Sequence, residues 1–181
     1  YQVGIVLHDS SAALIPFFAN FHEPFILIST GTWCVTLNPF NANPLTAEEL
    51  ESDCLCYISY KGKPVKASRL FAGHEHEQQS NRIAEHFKKS TDFYKKVKYA
   101  PEIVAKLQAK GEPISNTVKL VNLVVESVFN KRNLADFASA DEAYHQLIMD
   151  LVTQQSLSTK LVLKDTAVKR IFVDGGFSNN S

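Results

Sequence analysis

The sequence predicts a layered α/β domain in which helices flank a mixed β-sheet. Two short runs rich in β-branched residues, Phe25–Ser29 and Trp33–Leu37, are separated by only three residues and are typical of a β-hairpin. Ala140–Leu157 carries apolar residues at helical spacing. Arg170–Asp174 has the pattern of a further buried strand and ends in a glycine pair. Strands followed by helices and a closing strand indicate helices packed on a mixed sheet.

The other strands are predicted from similar apolar runs. Val3–Leu7 is apolar and β-branched, which predicts a buried strand. The TGT turn after Ser29 is short enough for a hairpin, and we expect Gly31 to supply any positive φ that this turn requires. Cys54–Tyr60 and Val65–Ser68 predict a second hairpin.

Helices are predicted in three segments. His74–Lys89 is polar with a few apolar residues on one side, and Ile114–Phe129 has apolar residues at helical spacing despite its β-branched content. Ala140–Leu157 is the clearest, because Ser139 followed by Glu142 is the pattern of a capping box. Its predicted apolar face consists of Tyr144, Leu147, Ile148, Leu151 and Val152.

Composition and charge exclude several classes of protein. The chain has 19 Lys plus Arg and 19 Asp plus Glu, so no net charge attracts a nucleic acid or an anionic membrane. No uncharged apolar run approaches the ~20 residues that a membrane span needs. The three cysteines are an odd number, and Cys54 and Cys56 are too close in sequence to pair easily. A reducing, cytoplasmic location is therefore expected.

The two ends of the sequence are those expected of a piece cut from a longer protein. The first residue is Tyr1 in place of methionine, and a strand pattern follows almost at once. The last segment, IFVDGGFSNNS, stops where a helix would be expected to begin. We therefore expect residues 1–181 to be one domain of a longer chain.

The segment HDSSAA places a histidine and an aspartate at the end of the first predicted strand. A strand end holds a side chain rigidly, so Asp9 could accept the proton of an attacking hydroxyl as a general base. The residues after it could also start a helix for which Asp9 is the N-cap, and caps of this kind are common. The residues alone favour the cap over the base.

Two turns are suited to ligands that carry phosphates or other polar groups. The STGT turn offers hydroxyls and backbone amides around Gly31, a combination that binds phosphate oxygens, although Gly and Thr are also ordinary turn residues. The turn at Gly175 and Gly176 would let a ligand approach the backbone closely, or is a plain connection from strand to helix. The familiar nucleotide fingerprints GxxxxGK[ST] and GxGxxG are both absent from the sequence.

Three polar or basic segments carry weaker signals. His74 and His76 are two residues apart and would point away from each other on a helix, unlike the pair of HExxH, so no metal site is expected there. Cys54 and Cys56 lack the second pair of a zinc ribbon. The stretch Lys88–Lys98 mixes basic and aromatic residues among acidic neighbours. Like the run around His74, it is expected to be a solvated helix face.

Taken in order, these motifs resemble a known family. A strand ending in HDSSAA, the strand-turn-strand ISTGTW, a helix and the strand FVDGGFSNN resemble the C-terminal domain of the FGGY carbohydrate kinases, in the actin-like ATPase superfamily. HDSSAA and STGTW are most similar to the rhamnulokinase branch. The resemblance covers essentially the whole chain and implies a ribonuclease H-like fold for residues 1–181. The N-terminal sugar-binding domain of the family and its final helices would lie outside this chain.

The resemblance implies roles for individual residues. Asp9 would be the general base toward the sugar hydroxyl and would contact the sugar together with His8. Gly31 and Thr32 would meet the ATP phosphates. The residues that would surround the adenosine are Gly73, Gly175, Gly176 and Asn179. Because ligands of α/β sheets bind outside strand ends, Asp9, Thr32 and Gly175 should then lie at one edge of the sheet.

The implied function is phosphorylation of a ketose or related sugar with ATP and Mg²⁺. This chain would be the nucleotide-binding half, expected to be inactive alone, and a homodimer is compatible with it. One alternative is a ribonuclease H-like nuclease with Asp9 and Asp174 as metal-binding carboxylates, and another is a non-catalytic actin-like binding domain. The strands from Phe25 to Leu37 carry no carboxylate and the chain has no basic track, which disfavours the nuclease. The presence of Asp9 disfavours the non-catalytic domain.

Overall fold

The computed structural model describes residues 7–111 and 127–179, and within them the fold is a five-stranded mixed sheet with helices on it. The strands are β1 (Phe25–Thr30), β2 (Cys34–Asn38), β3 (Cys54–Ile58), β4 (Pro64–Leu70) and β5 (Arg170–Gly175). They lie in the order β3-β4-β2-β1-β5. Both predicted hairpins are present as antiparallel pairs, and β5 runs parallel to β1. The predicted strand Val3–Leu7 lies outside the described residues except at its end.

Six helices accompany the sheet in the described part of the chain. They are α1 (Asp9–Ala12), α2 (Ile15–Asn20), α3 (Ala47–Glu51), α4 (Ala72–His86), α5 (Pro101–Lys110) and α6 (Ala140–Leu163). The predictions of helices at His74–Lys89 and Ala140–Leu157 are confirmed, with α6 longer than predicted. Most of the predicted helix Ile114–Phe129 lies outside the described residues. None of the helices in the described ranges has the length and apolar character to cross a membrane.

The two faces of the sheet pack against different elements, because side chains alternate along each strand. On one face, Val35 and Leu37 of β2 join a buried cluster with Leu14, which lies between α1 and α2. On the other face, Thr36 meets Thr159 of α6, with the two hydroxyl oxygens 3.4 Å apart. The α1 and α2 segment therefore covers one face of the sheet and α6 the other.

The contact between α6 and the sheet is polar as well as apolar. Ser68 of β4 donates a hydrogen bond to the carbonyl of Ser158 at 2.8 Å, and Asn38 donates to the carbonyl of Val162 at 2.7 Å. All three of Ser68, Asn38 and Ser158 are buried, so each bond satisfies a group that could not reach water. These bonds hold the last turns of α6, beyond its predicted end.

Two details of α6 differ from prediction. Val152, predicted on the apolar face, is 62% exposed, whereas Tyr144, Leu147 and Leu151 of that face are buried. At the N-terminus the Ser139 hydroxyl accepts from the amide of Glu142 at 3.1 Å, as predicted. The Glu142 carboxylate, however, bonds to the Ala138 amide at 3.2 Å and to Lys106 at 2.9 Å. Only half of the capping box forms, since Lys106 competes for the carboxylate.

The prediction that Arg170–Asp174 is a buried strand is wrong in one respect. The segment is a strand, but Ile171 is 56% and Val173 48% exposed. Within the described residues β5 is an edge strand that pairs only with β1. A β-branched apolar run reports the tendency to form a strand, and burial depends on what else covers it.

A buried ion pair links α3 to the middle of the sheet. Lys66 of β4 is 4% exposed, and its ammonium lies 2.8 and 2.9 Å from the two carboxylate oxygens of Glu49. Glu49 also accepts the Thr46 amide in a complete capping box. Burial raises the pKa of Glu49, but the hydrogen bonds from Lys66 and Thr46 outweigh it and leave that pKa below its ordinary value. The carboxylate is therefore ionised and paired at neutral pH.

We expect Lys66→Met to lower the free energy of unfolding by about 3–5 kcal/mol, because removal of one partner leaves the Glu49 charge buried and unpaired. Lys63→Met, at an exposed position in the β3–β4 turn, should change it by less than about 0.5 kcal/mol. Denaturant titration at pH 7 measures both.

The pH dependence gives a second check on the same pair. A depressed carboxyl pKa contributes stability above the unfolded-state pKa, and that contribution is lost as the pH falls through the folded-state pKa. The difference between wild type and Lys66→Met should therefore shrink on acidification. A difference independent of pH would contradict the assignment to the ion pair.

Candidate functional site

The turn between β1 and β2 lies on the border of two cavities. One, the α4 cavity, has a volume of about 500 Å³ and is lined by the turn, the start of α4, Tyr144 of α6 and the residues after β5. The other, the α1 cavity, has a volume of about 450 Å³ and is lined by the turn, the start of α1, Tyr57 and Arg69. Gly31 and Thr32 line both cavities. A ligand in either cavity would therefore touch the same turn.

The two cavities lie on opposite faces of the end of the sheet. Val35 lines the α1 cavity, whereas its neighbour Thr36 points to α6. Because β1 and β5 are parallel with Thr30 opposite Gly175, both strands end at this edge. The hydroxyl of Thr30 donates to the carbonyl of Asp174 at 2.6 Å and accepts from the amide of Phe177 at 3.1 Å. This one hydroxyl fastens the end of β5 to the turn.

Gly175 has a conformation and a position that only glycine allows. Its φ is +91°, a region that L side chains rarely adopt, and a Cβ there would lie 1.9 Å from the carbonyl oxygen of Thr30. Gly175 therefore packs beneath the turn and does not line either cavity. The close approach of ligand to backbone that the sequence predicts is left to its neighbour Gly176.

Gly73 brings the start of α4 against the same turn. A Cβ on Gly73 would lie 1.9 Å from the carbonyl oxygen of Gly31, so no side chain fits. The amide of His74 donates to the carbonyl of Thr32 at 3.2 Å, which joins α4 to the turn. The turn requires no positive φ at Gly31, since the described glycines with positive φ are Gly62 and Gly175. The close packing at Gly31 comes instead from Gly73, which lies against its carbonyl from α4.

Two glycines of the site leave open space beside them. A Cβ on Gly176 would meet no atom within 4 Å, and one on Gly31 would make only an ordinary contact at 3.9 Å. Gly176 lines the α4 cavity and begins a short 3₁₀ turn that ends at Asn179. The missing side chains at these two positions enlarge the cavity without being required by the fold.

An aromatic wall on the far side of the α4 cavity was not predicted from the sequence. The ring of His76 makes edge contacts with those of Tyr94, Tyr144 and Phe177, at 5.0 to 5.7 Å between centroids. Its Nε2 is 2.9 Å from the Tyr144 hydroxyl. Burial lowers the pKa of His76, so the ring is neutral at pH 7. The expectation of a solvated polar face is wrong at this residue, because a run of alternating His and Glu does not show which side of α4 meets α6.

His8 and Asp9 lie in the α1 cavity. The side chain of Asp9 is 92% exposed, and its Oδ1 lies 2.7 Å from the amide of Ser10 and 2.8 Å from Nδ1 of His8. The N-cap of α1 is His8 and Asp9 is the first helical residue, so the interpretation of Asp9 as the cap is wrong. The ring of His8 stacks on Tyr57 at 4.9 Å between centroids. The carboxylate of Asp9 thus points into an open cavity.

The structure brings most of the predicted site residues to one edge of the sheet. Asp9 and Thr32 both line the α1 cavity. Thr32 also lines the α4 cavity, together with Gly73 and Gly176. The predicted convergence at strand ends is therefore present. Asp9 and Gly176 lie on opposite faces of that edge. Among residues 7–111 and 127–179, no three His, Cys, Asp or Glu side chains form a group that could hold a metal ion.

Comparisons with known proteins point to one family. A family model described as the carbohydrate kinase FGGY, C-terminal domain, matches residues 22–115, just over half of the 181 residues. The fold is similar to the crystal structure of a carbohydrate kinase from Novosphingobium aromaticivorans, with a TM-score of 0.62 and 19% identity. That alignment covers 94% of this chain and 36% of the other. The chain thus spans about a third of that kinase. No curated protein matches the sequence significantly.

We expect Gly73→Ala to destabilise the protein by at least about 1–3 kcal/mol, the usual cost of overpacking, because the new methyl must displace the Gly31 carbonyl. Gly176→Ala is the matched control, since its Cβ meets nothing within 4 Å and the expected change is within about 0.5 kcal/mol. Thermal unfolding of both variants tests the pair. Equal stabilities would contradict the close contact between α4 and the turn.

Proposed function

The chain belongs to the family of FGGY carbohydrate kinase C-terminal domains, and we propose that it is the nucleotide-binding half of an ATP-dependent sugar kinase. The observation that carries the proposal is the position of the β1–β2 turn. Gly31 and Thr32 face a cavity on each side, so a phosphate group held at this turn would reach both. Such a border suits a reaction that moves a phosphoryl group from a donor in one cavity to an acceptor in the other.

The α4 cavity is our candidate for the ATP site. The open space beside Gly176 admits the adenosine, with Asn179 at the end of the same 3₁₀ turn, and Gly73 lines the same cavity. The amide and hydroxyl of Thr32 are available to the phosphate chain at the turn. A volume of about 500 Å³ lies within the range of ordinary small-molecule pockets, which run from about 300 to 1,000 Å³.

The α1 cavity is our candidate for the acceptor, with Asp9 as the general base and His8 beside it. A sugar hydroxyl attacks the γ-phosphorus while Asp9 takes its proton, and the β–γ bridging oxygen leaves with ADP. Mg²⁺ is compatible with a site that offers few carboxylates, because in phosphoryl-transfer sites it takes most of its ligands from phosphates and water. When bound, it neutralises the phosphate charge. Donors at the turn stabilise the phosphoryl oxygens in the transition state.

The remaining parts of the proposal follow from the resemblance of HDSSAA and STGTW to the rhamnulokinase branch. A ketose of the rhamnulose type is the first acceptor to assay, in a cytoplasmic enzyme of which this chain is one domain. The nuclease alternative has less support, because no group of three carboxylate or imidazole side chains that could hold a metal occurs in the described parts of the chain. A non-catalytic role would not require a carboxylate at Asp9.

Replacement of the proposed base is the first test. Asp9→Asn in the full-length enzyme should lower kcat by about 10²–10⁴, the usual effect of losing a general base, while leaving the Kd for MgATP nearly unchanged. The amide keeps the size of the carboxylate and its acceptor oxygen for the Ser10 amide. Steady-state assays on a panel of ketoses and calorimetry with MgATP give the two numbers. Undiminished turnover would eliminate Asp9 as the base.

Filling the α4 cavity is the reciprocal test. Gly176→Val should weaken MgATP binding by about tenfold or more, since its side chain occupies space that the adenosine needs, and Gly176→Ala should have a smaller effect. The affinity for the sugar should change little, because the acceptor lies on the other face of the sheet. Calorimetry with each ligand separates the two effects. If Gly176→Val weakened sugar binding and spared MgATP, the two cavities would have been assigned the wrong way round.

A further inference from the structure

Arg69 is a charged residue that lines the α1 cavity and has no role in the proposed function described so far. Among the described residues that line this cavity, it is the one lysine or arginine. Its side chain is 32% exposed, and its guanidinium lies 5.0 Å from the centroid of the ring of Trp33, the residue directly after the Gly31–Thr32 turn. A permanent cation therefore lies beside the turn on the acceptor side.

The sheet sets the distance of Arg69 from the turn. Arg69 is the register partner of Val35, which is the partner of Ser29, so these three residues form one row across β4, β2 and β1 on the α1 face. Adjacent strands are about 4.8 Å apart, which puts the Cα of Arg69 about 10 Å from that of Ser29. An arginine side chain covers most of such a distance. The guanidinium itself is paired with Asp53, which precedes β3, and lies over the Trp33 ring next to the turn.

Arg69 is held in place by two partners. Its Nη2 and Nε donate to the two carboxylate oxygens of Asp53 at 2.7 and 3.1 Å, and it bonds to Tyr57, the ring that stacks on His8. The hydrogen bond to Asp53 is the main reason that the pKa of Arg69 is raised, so the charge persists at any physiological pH. Asp53 itself has a φ of +60°, an uncommon conformation for a residue other than glycine. Asp53 adopts it just after the end of α3, where its amide bonds to the carbonyl of Leu50.

We propose that Arg69 contacts the transferred phosphoryl group on the acceptor side of the turn, with Asp53 as the residue that positions it. This inference rests on the proposed kinase function. The bond from the acceptor oxygen to the γ-phosphorus forms as the bond from that phosphorus to the β–γ bridging oxygen breaks. The hydroxyl proton goes to Asp9, and the bridging oxygen keeps its electron pair on ADP. The guanidinium interacts most strongly with the phosphoryl group during transfer and with the new sugar phosphate, because the charge of both lies on its side of the turn.

The test uses the full-length enzyme and needs no knowledge of the sugar. MgADP with aluminium fluoride mimics the phosphoryl group in transfer, whereas MgADP alone occupies only the nucleotide site. We expect wild type to bind MgADP more tightly when aluminium fluoride is present. Arg69→Met should lose on the order of 10²-fold of that gain, the usual effect of removing one such donor, with the Kd for MgADP alone changed less than about twofold.

Arg170→Met is the matched control. Arg170 also pairs with a carboxylate, Glu23 at 3.2 Å, and lies over an aromatic ring, that of Phe21 at 5.9 Å, but it is at the start of β5, the far end of the sheet. It should keep the full gain from aluminium fluoride. Asp53→Asn should lose part of the gain, because Arg69 is then less well oriented.

Arg69→Lys guards against a folding defect. It keeps the positive charge but not the planar fork, so it should fold and retain only part of the gain. The inference is overturned if both Arg69 variants keep the full gain, or if they weaken MgADP alone to the same extent. Failure of wild type to bind MgADP would overturn the proposed function itself, and the inference with it. A wild type that binds MgADP but gains nothing from aluminium fluoride would overturn the inference alone.

Discussion

The architecture of this domain depends on two places where backbone meets backbone with no room for a side chain. Gly73 lies against the carbonyl of Gly31 and Gly175 against that of Thr30, each leaving a hypothetical Cβ only 1.9 Å from an oxygen. These contacts draw the start of α4 and the end of β5 onto one turn. They set how closely these two elements approach the turn, which is the shared border of the two cavities. Main-chain contacts thus set the approach of both elements, and the Thr30 hydroxyl adds a side-chain bond to the end of β5.

The elements themselves were predictable because their signals are local. The FILIS and WCVTL runs with a three-residue gap could form little else than a hairpin, and Ser139 identified the start of α6. The end of α6 was not predictable, because the bonds that extend it come from Ser68 and Asn38, far away in sequence. The exposure of β5 likewise depends on what covers it, which a strand pattern does not report.

The residues of the candidate site were predictable where they belong to a recognisable motif. They were not predictable where only tertiary packing brings them to the site. Resemblance identified Gly31, Thr32 and Gly176, which now share a cavity. His76 and Arg69 carried no such signal, because a histidine in a polar run and an arginine on a strand are common everywhere. What distinguishes them is tertiary: an aromatic wall in one case, and in the other an aspartate that precedes the neighbouring strand.

The placement of the cavities on opposite faces of the sheet bears on how such domains diversify. Residues around Tyr57 and His8 can change during evolution without touching those around Tyr144 and Phe177, since among the described residues the two cavity linings share only Gly31 and Thr32. Under the assignment of the two cavities proposed above, selection can alter the preference for an acceptor while the nucleotide requirement is retained. Because the cavities lie on separate faces, mutations can change acceptor specificity and nucleotide specificity independently. Mutations in the turn would affect both.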